Sequence, residues 1–161
     1  MSHDIFIKLD GIPGESADKK HEKEIAVQSV SWGESQVGTF GQGGGGGAGK
    51  VQFQDIHFTK SMDIASHLLF LHCCQGKHIP SATITFRKAG TDQQEFLVIT
   101  LKDVLITSVS NSDGAGGGSI PQESVSMQFA EFTMDYKAQK QDGSLGGSNK
   151  QGWNLKTNLK I

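Results

Sequence analysis

The chain holds little that could staple it, anchor it or arm it for chemistry. Its 161 residues include two cysteines, Cys73 and Cys74, and these are neighbours. Adjacent cysteines very rarely pair with each other and no third exists, so a disulfide framework is excluded and both read as small buried hydrophobes. The longest uninterrupted apolar run is Leu68-Leu69-Phe70-Leu71, far short of the roughly 20 residues a membrane helix needs. Met1-Ser2-His3-Asp4 lacks a basic segment followed by an apolar one, so no secretory signal is expected. Fifteen Lys and Arg face 17 Asp and Glu, for a net charge of −2, and the basic residues are scattered singly. That balance offers no basic field for nucleic acid or anionic membrane.

Catalytic and metal signatures are missing too. There is no G-x-S-x-G elbow and no C-x-x-C or H-x-x-x-H pair. His57, His67, His72 and His78 lie close in sequence, but His67 and His72 are five apart, about 140° around a helix rather than on one face. Asp103 and Glu131 sit in long strand patterns without a motif partner. No catalytic residue, no metal ligand set and no cofactor is indicated, and the expectation is a protein that is not an enzyme.

What is present is glycine: 21 residues against three prolines. Much of it falls in segments 41–49, 114–118 and 143–147, each flanked by apolar strand patterns, and these read as long mobile loops. Residues 44–50 fit the first seven places of a phosphate-binding loop, G-x-x-x-x-G-K. That motif needs Ser or Thr next, to hold Mg²⁺, and a helix aimed at the phosphate. Val51 follows instead, and Val51-Gln52-Phe53-Gln54 alternates like a strand. The run is read as a loop between strands. Tight ATP binding that disappears in Lys50→Ala would revive a nucleotide-dependent enzyme.

Most of the chain reads as strand: 5–9, 25–32, 51–59, 81–88, 94–109, 124–136 and 153–159. Three of these change phase midway. Val51 and Phe53 give way to Ile56 and Phe58; Val125, Met127 and Phe129 give way to Phe132, Met134 and Tyr136; and Lys102-Asp103 interrupts the run 94–109. A strand keeps one face unless a residue is inserted, so the breaks are read as β-bulges that bend the strands. One helix is expected over about 63–75, with Asp63 as N-cap, Ile64, Leu68, Leu71 and Cys74 or Gln75 at helical spacing, and Gly76 as the stop. Leu69 and Phe70 lie off that stripe and hint at contact with another chain. The fold expected is mainly β: a single domain over 1–161, built as a compact β-barrel of bent antiparallel strands with one flanking helix.

Seven segments, in one order, carry a resemblance. They are the run from Phe6 to Ser16, Val30-Ser31-Trp32-Gly33, residues 43–50, Phe58-Thr59-Lys60, Gly76-Lys77-His78-Ile79, Arg87-Lys88-Ala89-Gly90 and Gly152-Trp153-Asn154. Together, over about 4–158, they resemble the haemolysin-coregulated (Hcp) proteins, the tube subunits of bacterial type VI secretion systems. The resemblance implies a β-barrel with a flanking helix, assembled as a homohexamer whose rings stack into a tube. A contractile sheath surrounds that tube, a spike protein caps it, and effector proteins travel in its lumen. It implies a protein that is cytoplasmic before firing and is then expelled without a signal peptide.

The resemblance also assigns sites. The loop of Gly41, Gln42, Gly43, Gly44, Gly45, Gly46, Gly47, Ala48, Gly49 and Lys50 matches the family's extended loop, which reaches toward neighbouring subunits or rings. Polar alternate strand residues are the natural lumen lining, and Ser29 and Ser31 are read as lumen-facing. A ring needs two unlike patches that meet, and the surplus apolar residues Leu69, Phe70, Phe96 and Val98 are candidates for them. Residues 111–118 are glycine-rich, so no family loop contact is transferred there. The chain ends at Ile161, immediately after the last expected strand, and the expectation is a plain tube subunit without an appended toxin. The rival reading is a monomeric ligand-binding barrel, which needs an apolar cavity that a tube subunit fills.

Overall fold

The alternation of apolar and polar residues is realised as strands with one dry face. The structure is a computed structural model and describes every residue except Met1, Gln42, 44–46, Ala48 and Thr91. Along the chain come β1 (His3–Leu9), β2 (Ile25–Val27), β3 (Ser29–Ser31), β4 (Glu34–Ser35), β5 (Gln52–Phe53) and β6 (Ile56–Ser61). The helix α1 (Ser66–Gln75) follows, then β7 (Ile79–Lys88), β8 (Glu95–Ser112), β9 (Gln122–Gln128), β10 (Glu131–Gln139), β11 (Leu145–Asn154) and β12 (Leu159–Lys160). Ile7, Phe58, Ile84, Ile99, Leu101 and Met127 point inward from five different strands and are fully buried.

Strand β8 is the spine. Its first half pairs β7 on one edge and β10 on the other, giving the order β12-β11-β10-β8-β7-β1-β2. Its second half pairs β9, which pairs β6, which pairs β3. The long hairpin of β8 with β9 and β10 bends as a unit. Lys102 opposes Glu131 and Leu105 opposes Gln128, so two residues separate these pairs on each side and none is inserted. Asp103 takes up the bend with a φ of 52°, and the Ala130 N–H donates to the Lys102 carbonyl at 2.9 Å.

Several expectations need correction. The break in 124–136 is this shared bend, and the break in 51–60 is a gap at Gln54-Asp55 between two strands of different sheets. Bulging is confined to other places, such as Thr107, which β8 inserts between Ile106 and Ser108 against β9. The barrel is a bent antiparallel sheet rather than a continuously closed ladder. Its strand 25–31 crosses from β1 to β6 at Gln28, whose N–H donates to the Thr59 carbonyl at 2.8 Å. The glycines of 143–147 are divided: Gly143 lies in the β10–β11 turn at a φ of 87°, whereas Gly146 and Gly147 lie inside β11, where its register with β10 shifts. Residues 155–158, expected as strand, are a turn begun by the Asn154 side chain, which accepts the Thr157 N–H.

The helix is where expected but rotated. Asp63 Oδ1 accepts the Ala65 N–H at 2.9 Å while Ser66 Oγ accepts the Asp63 N–H at 3.0 Å, a reciprocal cap one turn ahead of α1. Gly76 closes it in the left-handed conformation, φ 59°. The buried face is Ala65, Ser66, Leu69 and His72, whereas Ile64 and Leu71 are exposed. Leu69 is therefore a core residue with no exposed surface, and it is withdrawn as an interface residue.

Residues 13–24 wrap the outer side of β1 and are strapped by charge. Arg87 makes a two-pronged pair with Asp18, at 2.9 and 2.7 Å, and reaches Asp4 at 3.3 Å while lying over the Phe6 ring. The hydrogen bonds from Arg87 hold the Asp18 carboxyl far below the usual carboxylate range. A depressed folded-state pKa contributes stability above the unfolded value, near 4, and loses it as pH falls. Between pH 7 and pH 2, Asp18→Asn should therefore lose less stability than the parent does. Parallel acid unfolding curves for the two proteins would show that this strap is not what acid breaks.

Candidate functional site: an uncharged hydroxyl face

The four-strand sheet made by the second half of β8, β9, β6 and β3 has an unusual outer surface. Register places Ser31, His57, Ser126 and Ser108 in one row across it. Ser29, Thr59, Ser124 and Ser110 form the next row, and Ser61, Gln122 and Ser112 the third. Neighbours in these rows bond to one another: Ser29 Oγ with Thr59 Oγ1 at 2.6 Å, His57 Nδ1 with Ser126 Oγ at 2.7 Å, and Gln122 Nε2 donating to Ser61 Oγ at 3.2 Å. No row contains a Lys, Arg, Asp or Glu. Most solvated sheet faces in water-soluble proteins carry charge, because charged groups are almost never buried unless paired.

Here the charge goes the other way. Lys60 and Glu123 oppose each other on β6 and β9 and point inward. Lys60 Nζ lies 2.8 Å from Glu123 Oε2 and 2.7 Å from Asp63 Oδ1, and it donates to Ser66 Oγ at 3.1 Å. Both side chains of the Lys60–Glu123 pair are essentially inaccessible. This pair ties the sheet to the start of α1, and the sheet's own charges are kept off its outer face. The face that remains can donate and accept weak, exchangeable hydrogen bonds to almost any polar surface, and it attracts neither sign of charge.

The sequence-derived residues fall in different places. Ser29 and Ser31 are exposed and belong to the hydroxyl face; their row partners on β6, β8 and β9 were not singled out. The signal was available, since Ser108, Ser110 and Ser112, like Ser124 and Ser126, recur at period two, yet only pairing shows that these runs share one face. Phe70 is 62% exposed. Phe96 is half-buried against His3 and Phe86, and Val98 is half-buried on the first half of β8. His67 borders an open cleft, and His72 is buried with Nδ1 bonded to the Leu68 carbonyl. Among the described residues no group of three or more His, Cys, Asp or Glu is placed to hold a metal.

β4 and β5 pair as a hairpin, and Lys50 is followed by the strand β5 and not by a phosphate-facing helix. Gln42, Gly44, Gly45, Gly46 and Ala48 lie outside the described residues. The legs of the arm are joined by Thr39 Oγ1, which donates to the Gly47 carbonyl and accepts the Gly47 N–H, and by the Gly49 N–H to the Val37 carbonyl. Val37 and Phe40 on one leg are 61% and 90% exposed. Beside the base of the arm, Val51, Phe53, Phe132, Met134 and Trp153 line an open groove of about 510 Å³. The chain thus presents an apolar arm and an apolar groove as separate, unlike patches.

Comparison with known proteins agrees with this architecture. Residues 6–136 match the family model described as "Type VI secretion system effector, Hcp". Protein hcp1 of Pseudomonas aeruginosa is 49% identical over 161 residues, covering 99% of each chain. A solved structure described as a type six secretion system protein superposes with a TM-score of 0.94 at 34% identity, covering 99% of this chain and 100% of its own. The crystal structure of Hcp1 from Salmonella typhimurium gives a TM-score of 0.82 at 35% identity, with 100% of both chains covered. With a family model spanning most of its length and relatives matched end to end, the chain belongs to the Hcp family of type VI secretion proteins.

Proposed function

We propose that this chain is the structural subunit of a type VI secretion tube, and that its hydroxyl face lines the channel. The observation that carries the reading is the inversion of charge: a solvated sheet face without a single formal charge, above a buried Lys60–Glu123 pair. A lining that held cargo by ion pairs would select cargo by charge and release it poorly at low salt. A lining of hydroxyls and amides wets the channel and lets polar protein surfaces pass. Six such subunits in a ring, stacked into a tube inside a contractile sheath and capped by a spike, form a carrier for effector proteins. Such a tube is built in the cytoplasm and expelled by contraction rather than through a cleaved signal.

The unlike arm and groove patches support assembly by heterologous contacts, which close into rings or extend into stacks. Phe70 remains a candidate for the contact within a ring, with Phe96 and Val98 contributing only their half-exposed surface. The rival ligand-binding barrel gains no support from the interior, where Phe58, Ile7 and Ile99 are fully buried in the core. A role as an enzyme gains no support from any of the clefts described.

Light scattering during size-exclusion chromatography should give a mass near six subunits, with a central hole in negatively stained particles. A monomer at all concentrations would overturn the ring. Within the ring, Ser31→Arg should reduce effector retention severalfold while the mass stays unchanged. Equal retention by the variant would remove Ser31 from the lining.

A further inference from the structure

The hydroxyl rows hold one group that can change its charge. Of the six histidines in the chain, His57 alone stands in these rows, exposed near the start of β6. Its neighbours across the sheet are Ser31 on β3 and Ser126 on β9, with Ser108 of β8 beyond. None of these three strands places a charged side chain in its row. The carboxylate closest to it in sequence is Asp55, just ahead of β6, which accepts a hydrogen bond from Thr107 Oγ1 at 2.7 Å. Two other histidines are enclosed. His21 is buried between Glu24 and Glu95, and His72 is buried against the Leu68 carbonyl of its own helix.

We infer that His57 gates the lining by pH: the face is uncharged while the imidazole is neutral and binds polyanions once it is protonated. The inference rests on the tube reading and deepens it, since it names the residue that sets the charge preference of the channel. Histidine is the side chain whose charge ordinarily changes between about pH 5 and 8. Hydroxyls and amides do not titrate there, so any charge the rows gain in that range is carried by His57. The hydrogen bond to Ser126 permits the change. Neutral imidazole can accept from the Ser126 hydroxyl or donate to it through Nδ1, and imidazolium donates to the same oxygen, because a hydroxyl serves both roles. The row therefore gains charge without losing its 2.7 Å contact. Repetition then multiplies the effect. One imidazolium on one subunit is a weak anion site, but rotation about a ring axis sets the His57 of every copy at one height. A polyanion that bridges several of them gains avidity that no single site supplies. In acid the channel thus favours an acidic protein surface and repels a basic one.

A short dextran sulfate carrying a pH-insensitive fluorophore is the probe, followed by fluorescence anisotropy at low ionic strength, where exposed charges are least screened. On rings of confirmed mass, binding at about pH 5.5 should be at least about tenfold tighter than at about pH 8, as expected of several linked contacts. Unsulfated dextran of equal length should bind at neither. Rings of His57→Gln should lose the difference, which separates His57 from His3, His67 and His78 outside the rows. Rings of His57→Lys should bind the probe at both pH values, an outcome that a merely structural role would not produce. Asp55→Asn should leave the pH dependence in place. Equal binding by the parent at the two pH values would overturn the gate while leaving the tube reading intact. So would an unchanged pH dependence in His57→Gln, or its loss in Asp55→Asn. Absence of any ring would overturn both.

Discussion

Glu123→Ala should destabilise the subunit by about 3–5 kcal/mol, the usual penalty for leaving one member of a buried ion pair behind. Lys60 has no accessible surface, and Glu123 is its most deeply buried counter-charge, with Asp63 the other carboxylate in contact. Removing Glu123 also strips the acceptor that Ser66 Oγ donates to at 2.8 Å, so the tie between the sheet and α1 loosens as well. The double variant Lys60→Met/Glu123→Leu should recover most of the loss, because apolar residues of similar volume replace a buried pair at little net cost. Denaturant unfolding should be compared at concentrations where subunits are separate, since assembly adds apparent stability by mass action. A single-variant cost below about 1 kcal/mol would mean that the pair behaves as a hydrated surface bridge. The double variant has a second use. It keeps the outer face unaltered, so it should still form rings, and a failure to do so would show that the pair shapes the sheet as well as holding it.

Phe58→Ala should cost a similar amount, about 3–5 kcal/mol, through lost transfer energy and the cavity left behind. Phe58 is fully buried at the centre of β6, with Val30 and Val125 opposite it on β3 and β9. Phe58→Leu leaves a smaller void and should cost clearly less. The unfolding midpoint should shift in that order with little change in slope, as expected when stability changes and the unfolded state does not. Because β6 is the middle of the hydroxyl sheet, collapse of its dry face should also disturb Ser29, Thr59 and His57 on the other side. Equal effects of the two substitutions would indicate that this part of the core is loosely packed.

Much of this architecture was legible in the residues. Apolar runs over 5–9, 81–88 and 94–109 mark β1, β7 and β8, whose alternate residues Ile5 and Ile7, Ile84 and Phe86, and Ile99 and Leu101 are buried in the shared core. Asp63 and Gly76 bracket the helix through capping chemistry that is local to a few residues. The glycine segment 114–118 is a turn and connection, and the strand after Lys50 already spoke against a phosphate loop. Resemblance, carried by seven ordered segments, pointed to the family that comparison then established.

Other features were settled by contacts between residues far apart in sequence. The rotation of α1 places Leu69 inside and Leu71 outside, and that choice belongs to the surface the helix meets rather than to its own spacing. Strand β11 was missed because Gly146 and Gly147 have no side chains to alternate; they sit where its register with β10 shifts, between the pairs Lys137–Ser148 and Gln139–Leu145. The breaks in 51–60 and 124–136 look identical as patterns. One is a gap between sheets and the other a bend shared with β8, and only the partner strand distinguishes them. Ser108 and Ser126 each looked like an ordinary solvated position, and only Ser29 and Ser31 were singled out. By itself the sequence determined where strands and turns form, since that depends on near neighbours and side-chain period. Tertiary structure alone decided that scattered serines form one uncharged face with the charges turned inward, because a face is made by strands pairing across the chain.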